Sequence, residues 1–331
     1  MSRTLVSILS DHLLPNFLLI KEMEGRFDDL LFISTRQMEE RCMSGLLEEA
    51  LNLEEGSVRC LVVENDDYNA VLETLRNAKP DDTSEFIVNV TGGTKTMSIA
   101  VHEFFRNFSA RFYYVPIGAN TYYDFTTGAL SAINYRVNLD EYFALYGLAF
   151  EWDNGLLRGE KEPFKIFDRQ KRRNFCLSKD LRNAHMQKEP EMRRYLSGEW
   201  FEEYAYLRLK QEFNLRDQDI AKSVKIYRDE SNNNDNELDV AFVKDNALYV
   251  IECKVSMTGY GKDPKDVIEE YLYKLAAISK DFGLRVNSYI FTLHQMNLLQ
   301  TDARQNLEKR MRILGIRGII AGNKLTKSLP L

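Results

Sequence analysis

The chain has 331 residues, of which 44% are hydrophobic and 28% charged, and a formal charge of −6 at pH 7. That length suits two domains, each able to bury its own core. The negative balance excludes uniform coating of nucleic acid, so contact with such a partner would need a local basic patch. No apolar run approaches a membrane span, and Met1-Ser2-Arg3 leads straight into a short strand, without a signal sequence. A cytoplasmic protein with no membrane partner is expected. Cys42, Cys60, Cys176 and Cys253 lack metal-ligand spacing and read as buried thiols.

In the first half, apolar strands are expected at 4–9, 30–33, 58–63, 86–90 and 110–115, with helices over 38–51 and 68–76 between them. Strand-helix alternation with apolar strands predicts a parallel sheet covered on both faces, a Rossmann-like α/β domain. Ligands of such sheets bind beyond the carboxyl ends of the strands. Those ends carry Ser10-Asp11-His12, Ser34-Thr35, Glu64-Asn65-Asp66 and Thr91-Gly92-Gly93-Thr94-Lys95-Thr96. In the last of these, paired glycines let backbone N–H groups approach an anion, the following helix offers its positive end, and Lys95 adds a charge. It is a phosphate cradle without the glycine spacing of a P-loop. A tight strand-helix turn that needs glycine is the plainer alternative.

A second hairpin is expected at 122–125 and 132–137 around Thr126-Thr127-Gly128, then a short helix from Asn138 closing at Gly147. The composition then turns charged and irregular, and 146–197 reads as a connecting segment. Within it Lys161, Lys165, Arg169, Lys171, Arg172 and Arg173 interleave with Phe164, Phe167 and Phe175. Either a groove for single-stranded nucleic acid or a solvated connecting helix would show this pattern.

From Gly198 a helix sets Glu202, Ala205, Tyr206, Leu209 and Phe213 on one stripe, so Glu202 faces the interior, whereas Glu199 and Glu203 share a side with Lys210. Apolar runs flanking Asp245-Asn246 predict a β-hairpin. A two-residue loop pairs Lys244 with Ala247 and sets Asp239 opposite Glu252, with Cβ atoms roughly 4.5–5.5 Å apart. Alternation brings Lys254 to the same face. Two carboxylates so close repel unless a cation separates them, and oxygen-only ligands favour Mg2+ or Mn2+ over zinc. Lysine beside such an ion loses its proton easily and can position water or offset phosphorane charge. Together the set suits phosphodiester hydrolysis, against the alternative of solvated residues on an open sheet face. Beyond the hairpin come a turn at Gly259 to Gly261, a helix opened by Asp263-Pro264, and strand, helix and strand at 288–293, 302–314 and 318–321. Tyr271 and Lys274 are accessory candidates on that first helix.

Asp239, Glu252-Cys253-Lys254 and the preceding Gly198-Glu199-Trp200-Phe201-Glu202 resemble the PD-(D/E)xK nuclease superfamily, with Leu238 where the family name carries proline. The resemblance implies a restriction-endonuclease-like α/β domain over 198–331, metal ligands Glu202, Asp239 and Glu252, and Lys254 assisting water. Asn89-Val90-Thr91-Gly92-Gly93-Thr94-Lys95 resembles the CARF domains of type III CRISPR ancillary proteins, over about residues 1–145. Families joining the two are dimeric nucleases switched on by cyclic oligoadenylate. This implies a homodimer that cleaves single-stranded or nicked DNA or RNA, with cyclic tetra-adenylate as the expected activator. Its site would comprise Ser10, Asp11, Ser34, Thr35, Thr91, Gly92, Gly93, Thr94, Lys95 and Ile117, with His12 as a further contact. A regulator with a non-catalytic nuclease-like domain, or a constitutive repair or restriction nuclease, remains an alternative.

Overall fold

A computed structural model describes residues 2–78, 85–227, 236–256, 264–294 and 301–331. It divides into two compact units, Met1–Leu148 and Ala149–Leu331. Among the described residues no helix is long and apolar enough to cross a membrane.

The first unit runs β1 (Arg3–Ile8), α1 (Leu14–Glu22), β2 (Asp29–Thr35), α2 (Arg36–Glu39), α3 (Met43–Ala50), β3 (Arg59–Val63), α4 (Tyr68–Asn77), β4 (Glu85–Asn89), α5 (Lys95–Phe105), β5 (Ser109–Tyr114), β6 (Thr121–Asp124), β7 (Ala129–Ala132) and α6 (Leu139–Ala144). Its sheet has the order β3-β2-β1-β4-β5-β6-β7. The first five of these strands are parallel and the last two antiparallel, so the mixed α/β expectation holds. Val6, Ile8, Ile33 and Val88 are buried among Val71, Met97 and Phe105 from α4 and α5. Strand order turns at β1, whose neighbours are β2 and β4, and this switch brings the ends at Ser10 and Gly92 side by side. Asn138 caps α6 in a reciprocal capping box with Glu141.

Two local expectations are corrected. The helix expected over 38–51 breaks at Cys42, whose φ of +54° ends one helical segment and starts another. The second strand of the 122–137 hairpin is Ala129–Ala132, because Gly128, at φ +73°, closes the turn onto Asp124 and pairs Asp124 with Ala129.

The second unit contains β8 (Ala149–Glu151), α7 (Lys161–Arg172), α8 (Lys179–Arg182), α9 (Pro190–Arg194), α10 (Trp200–Glu212), β9 (Ile220–Tyr227), β10 (Asn236–Lys244), β11 (Ala247–Lys254), α11 (Pro264–Ser279), β12 (Val286–Thr292), α12 (Thr301–Leu314) and β13 (Ile316–Ala321). Its sheet order is β13-β12-β11-β10-β9-β8. Asp245 and Asn246 both lie in the left-handed region, at φ +52° and +59°, which gives a primed two-residue turn and the register Lys244 with Ala247 through Val240 with Ile251. The expected turn at Gly259 to Gly261 and the cap at Asp263 lie outside the described residues.

Residues 149–197, read from sequence as a connector, fold into this unit: β8 pairs with β9, and Ile166 and Phe167 of α7 enter the core with Trp200, Phe201 and Tyr204 of α10. Two cysteines also depart from expectation. Cys42 and Cys176 are exposed, while Cys253 is buried and Cys60 half-buried.

Candidate functional site

The β10–β11 hairpin assembles an acidic centre. Its ladder runs no further than Val240 and Ile251, and at the next positions Asp239 and Glu252 share the Lys254 ammonium. Asp239 Oδ2 accepts a hydrogen bond from the Cys253 backbone N–H at 2.6 Å. Lys254 Nζ lies 3.3 Å from Asp239 Oδ2 and 2.7 Å from Glu252 Oε1. Behind it, the Tyr271 ring of α11 supports the ammonium at 5.2 Å, and Lys274 Nζ stands 3.8 Å from Glu252 Oε1. Both come from the layer opposite α10, which packs on Val240, Phe242, Ile251 and Cys253 of the other sheet face. Glu202 joins electrostatically from α10: burial first, then repulsion from Asp239, pushes its carboxyl up to about 8. Burial and then Glu252 raise Asp239 as well, and the Cys253 N–H and Lys254 only partly offset this.

With no ion beside it, Lys254 keeps its proton. Burial alone would favour the neutral amine, but Asp239 and Glu252 hold it above the ordinary lysine range, so it stays an ammonium. Glu203, expected on the side of α10 that carries Lys210 rather than with inward-facing Glu202, is buried as well, at 2% exposed. The 149–197 segment covers that side of α10, and Leu157 N–H donates to Glu203 Oε1 at 2.8 Å. The aromatic residues interleaved with the basic run are likewise committed elsewhere. Phe167 stacks on Tyr204 at 3.9 Å between centroids, Phe164 meets the same ring edge-on, and Phe175 packs against Phe167. None of the three rings is free to stack on a base, which corrects the groove reading in favour of a packed helix with a charged outer face.

The strand ends of the first unit form the other candidate. A Cβ on Gly92 would lie 2.0 Å from Ile8 O, and one on Gly93, at φ +74°, would lie 2.6 Å from Ile8 Cγ2. Both glycines are therefore required by close approach to the end of β1, and that same approach sets the loop beside Ser10 and Asp11. The hydroxyls proposed as ligand contacts are mostly engaged within the protein. Thr91 Oγ1 donates to Asn89 Oδ1 at 2.5 Å and accepts from Val115 N–H at 2.9 Å. Thr94 caps α5 and donates to Asn65 O at 2.6 Å; Thr35 caps α2; Ser34 is fully buried and bonded to Glu39. Lys95 and Gly93 are exposed, as is Ile117 at 59%, and Asp11 is ion-paired with Arg41. A cavity of about 580 Å3 opens alongside, lined by Thr35, Arg36, Gln37, Glu64 and Asn65 among others. The pairing of Arg41 with Asp11 was not legible in the sequence, because Arg41 falls within the helix expected over 38–51.

Two family models match the chain. The model of the Card1 CARF domain covers residues 4–142, and that of the Card1-like endonuclease domain covers 189–320. The chain joins a Card1-type CARF domain to a Card1-like endonuclease domain. No curated protein matches it. Among solved structures, protein VC1899 from Vibrio cholerae is similar over 98% of this chain and 95% of its own, with a TM-score of 0.78 and 17% identity. Can2 from Sulfobacillus thermosulfidooxidans, solved with cyclic tetra-adenylate, is similar over 98% and 96%, with a TM-score of 0.73 and 21% identity. A type III CRISPR defence DNA nuclease activated by cyclic oligoadenylate matches 88% of this chain and 45% of its own, at a TM-score of 0.59 and 15% identity.

The endonuclease domain's acidic centre offers carboxylate oxygens to a divalent ion, although among the described residues it does not by itself close a cage around one. Glu252 is 3% exposed, and its Oε1 makes no aligned hydrogen bond, although Lys254 is in ion-pair contact with it. Asp239 and Glu202 are both held above the ordinary carboxyl range, so each gains from a nearby cation. Among the described residues no three acidic, histidine or cysteine side chains close tightly enough to cage an ion by themselves, and the Lys254 ammonium bridges Asp239 and Glu252. Asp239 and Glu252, with Glu202, are the groups that would hold the metal. Bound there, it would supply Lewis-acid polarisation of a phosphodiester and a more acidic water.

Proposed function

We propose that the endonuclease domain is a metal-dependent phosphodiesterase acting on DNA or RNA, switched on when cyclic oligoadenylate binds the strand ends of the CARF domain in type III CRISPR defence. The observation that carries this is the meeting of Asp239, Glu252 and Lys254 where the β10–β11 ladder stops, with Glu202 on α10 held above its ordinary range by burial and by Asp239. Such a density of half-neutralised charge in a buried place is costly for a purely structural element and suits an ion-dependent reaction. Lys254, held as an ammonium, is placed to orient a water or to offset charge developing on phosphorus. Mn2+ or Mg2+ suits the oxygen-only ligands. Cyclic tetra-adenylate is the favoured activator because a neighbour of the same two-domain fold was solved with it. A homodimer in the cytoplasm, with single-stranded or nicked substrate, completes the reading. A symmetric cyclic ligand matches two identical half-sites.

The test is cleavage of single-stranded and supercoiled DNA and of single-stranded RNA with Mn2+, with and without cyclic tri-, tetra- and hexa-adenylate. Cleavage that needs both metal and one cyclic ligand, and that is lost in Glu252→Ala, is expected. Equal cleavage with no cyclic ligand would favour a constitutive nuclease. Ligand binding without any cleavage would favour a regulator.

A further inference from the structure

Arg41 sits at a braced corner. It ends the short turn of α2, its N–H bonded to Met38 O at 3.1 Å, and Cys42 follows at φ +54°. Glu39, two residues earlier, bridges Ser34 of β2 and Ser44 of α3 through its two carboxylate oxygens. The corner is thereby tied to the sheet, and it delivers the Arg41 guanidinium to Asp11, just past the end of β1. Asp11 is a paradox for an anion site. It stands beside the Gly92-Gly93 loop, where a carboxylate would repel a ligand made of linked phosphates.

We infer that Arg41 is a phosphate-binding residue of the CARF domain and that Asp11 is its placeholder, holding the guanidinium at the strand ends until a ligand phosphate replaces it. The inference rests on the proposed cyclic-oligoadenylate site and names the residue that recognises its charge. Both partners are about half exposed, 52% and 57% for the side chains. An exposed pair of this kind contributes a factor of about five at most to an equilibrium, so exchanging Asp11 for phosphate costs little. Phosphate repays it, because the planar fork of arginine can donate two hydrogen bonds to one phosphate group.

The opposite role for Asp11, accepting a hydrogen bond from a ribose hydroxyl, makes the opposite prediction. Titration calorimetry of the full chain with cyclic tri-, tetra- and hexa-adenylate decides between them, using wild type, Arg41→Ala and Asp11→Asn at one ionic strength. Arg41→Ala should weaken binding by roughly tenfold or more, as loss of a charged hydrogen bond does. Asp11→Asn should tighten it about two- to fivefold. A smaller loss in Arg41→Ala, or an Asp11→Asn that binds no more tightly than wild type, overturns the inference while leaving the activator reading intact. Wild type that binds none of the three rings overturns both. Unliganded melting midpoints check that the variants fold, and Arg41→Gln serves as the second variant if Arg41→Ala does not.

Discussion

The carboxylate of Asp239 takes the place of a backbone acceptor for Cys253, whose N–H it receives at 2.6 Å where the β10–β11 ladder stops. On the other side of β10, the ladder to β9 skips the same residue, pairing Leu238 with Val224 and then Val240 with Lys222. Ser223, across from Asp239, is turned to φ +49°. Asp239 is thus left out of both ladders, and its side chain is fixed by β11 alone.

Replacing that side chain tests the arrangement. Asp239→Asn keeps an oxygen for the Cys253 N–H but removes a charge from the metal-holding set. The variant should fold with an unchanged melting midpoint and lose at least about 100-fold in cleavage rate, since even residues behind metal ligands cost 10–100-fold when removed. Cleavage kinetics with saturating Mn2+, alongside a melting curve, checks both halves.

Lys254→Met retains the stem over Tyr271 and removes the cation between Asp239 and Glu252. Two buried carboxylates then meet with Lys274, 3.8 Å from Glu252 and half exposed, as a weaker counter-charge, and the metal-free protein should lose about 2 kcal/mol of stability in urea unfolding. Saturating Mn2+ should restore part of that loss without restoring cleavage.

The pH dependence of the metal-free protein follows from Glu202. Its carboxyl is raised from 4.5 to about 8, so the protonated form is favoured by folding. A raised group contributes stability that is complete below the unfolded value and lost as pH climbs through the folded one. The melting midpoint in chelator should therefore fall between about pH 5 and pH 8, and Glu202→Gln should flatten that slope. Adding Mn2+ at pH 7 should release protons, measurable by titration in buffers of different ionisation enthalpy.

Gly92 offers a test of the strand-end packing independent of any ligand. Because its Cβ would fall 2.0 Å from Ile8 O, Gly92→Ala must push the loop off β1. A loss of about 1–3 kcal/mol in urea unfolding is expected, as for other overpacked sites.

Much of this protein was legible in order. Alternating apolar strands and helices gave the parallel α/β architecture of the first half, and the Asn89–Lys95 segment carried its resemblance to CARF domains. The Asp245-Asn246 turn gave the register that sets Asp239 against Glu252, because a two-residue primed loop leaves one pairing open. The glycine pair was legible as a loop, though its close contact with Ile8 was not, since that neighbour lies some eighty residues away along the chain.

The sequence by itself determined which residue types share a strand face and where the helices and turns fall, because side-chain period and turn chemistry are local properties. Only the tertiary structure decided which of those residues carry partners. Burying Glu203 beneath 149–197, committing Phe167 to the Tyr204 ring, holding Lys254 charged between two carboxylates and bringing Arg41 onto Asp11 all depend on segments distant in sequence packing together. The reason is physical: burial and charge neutralisation are set by what arrives from elsewhere in the fold, and no local pattern records that arrival.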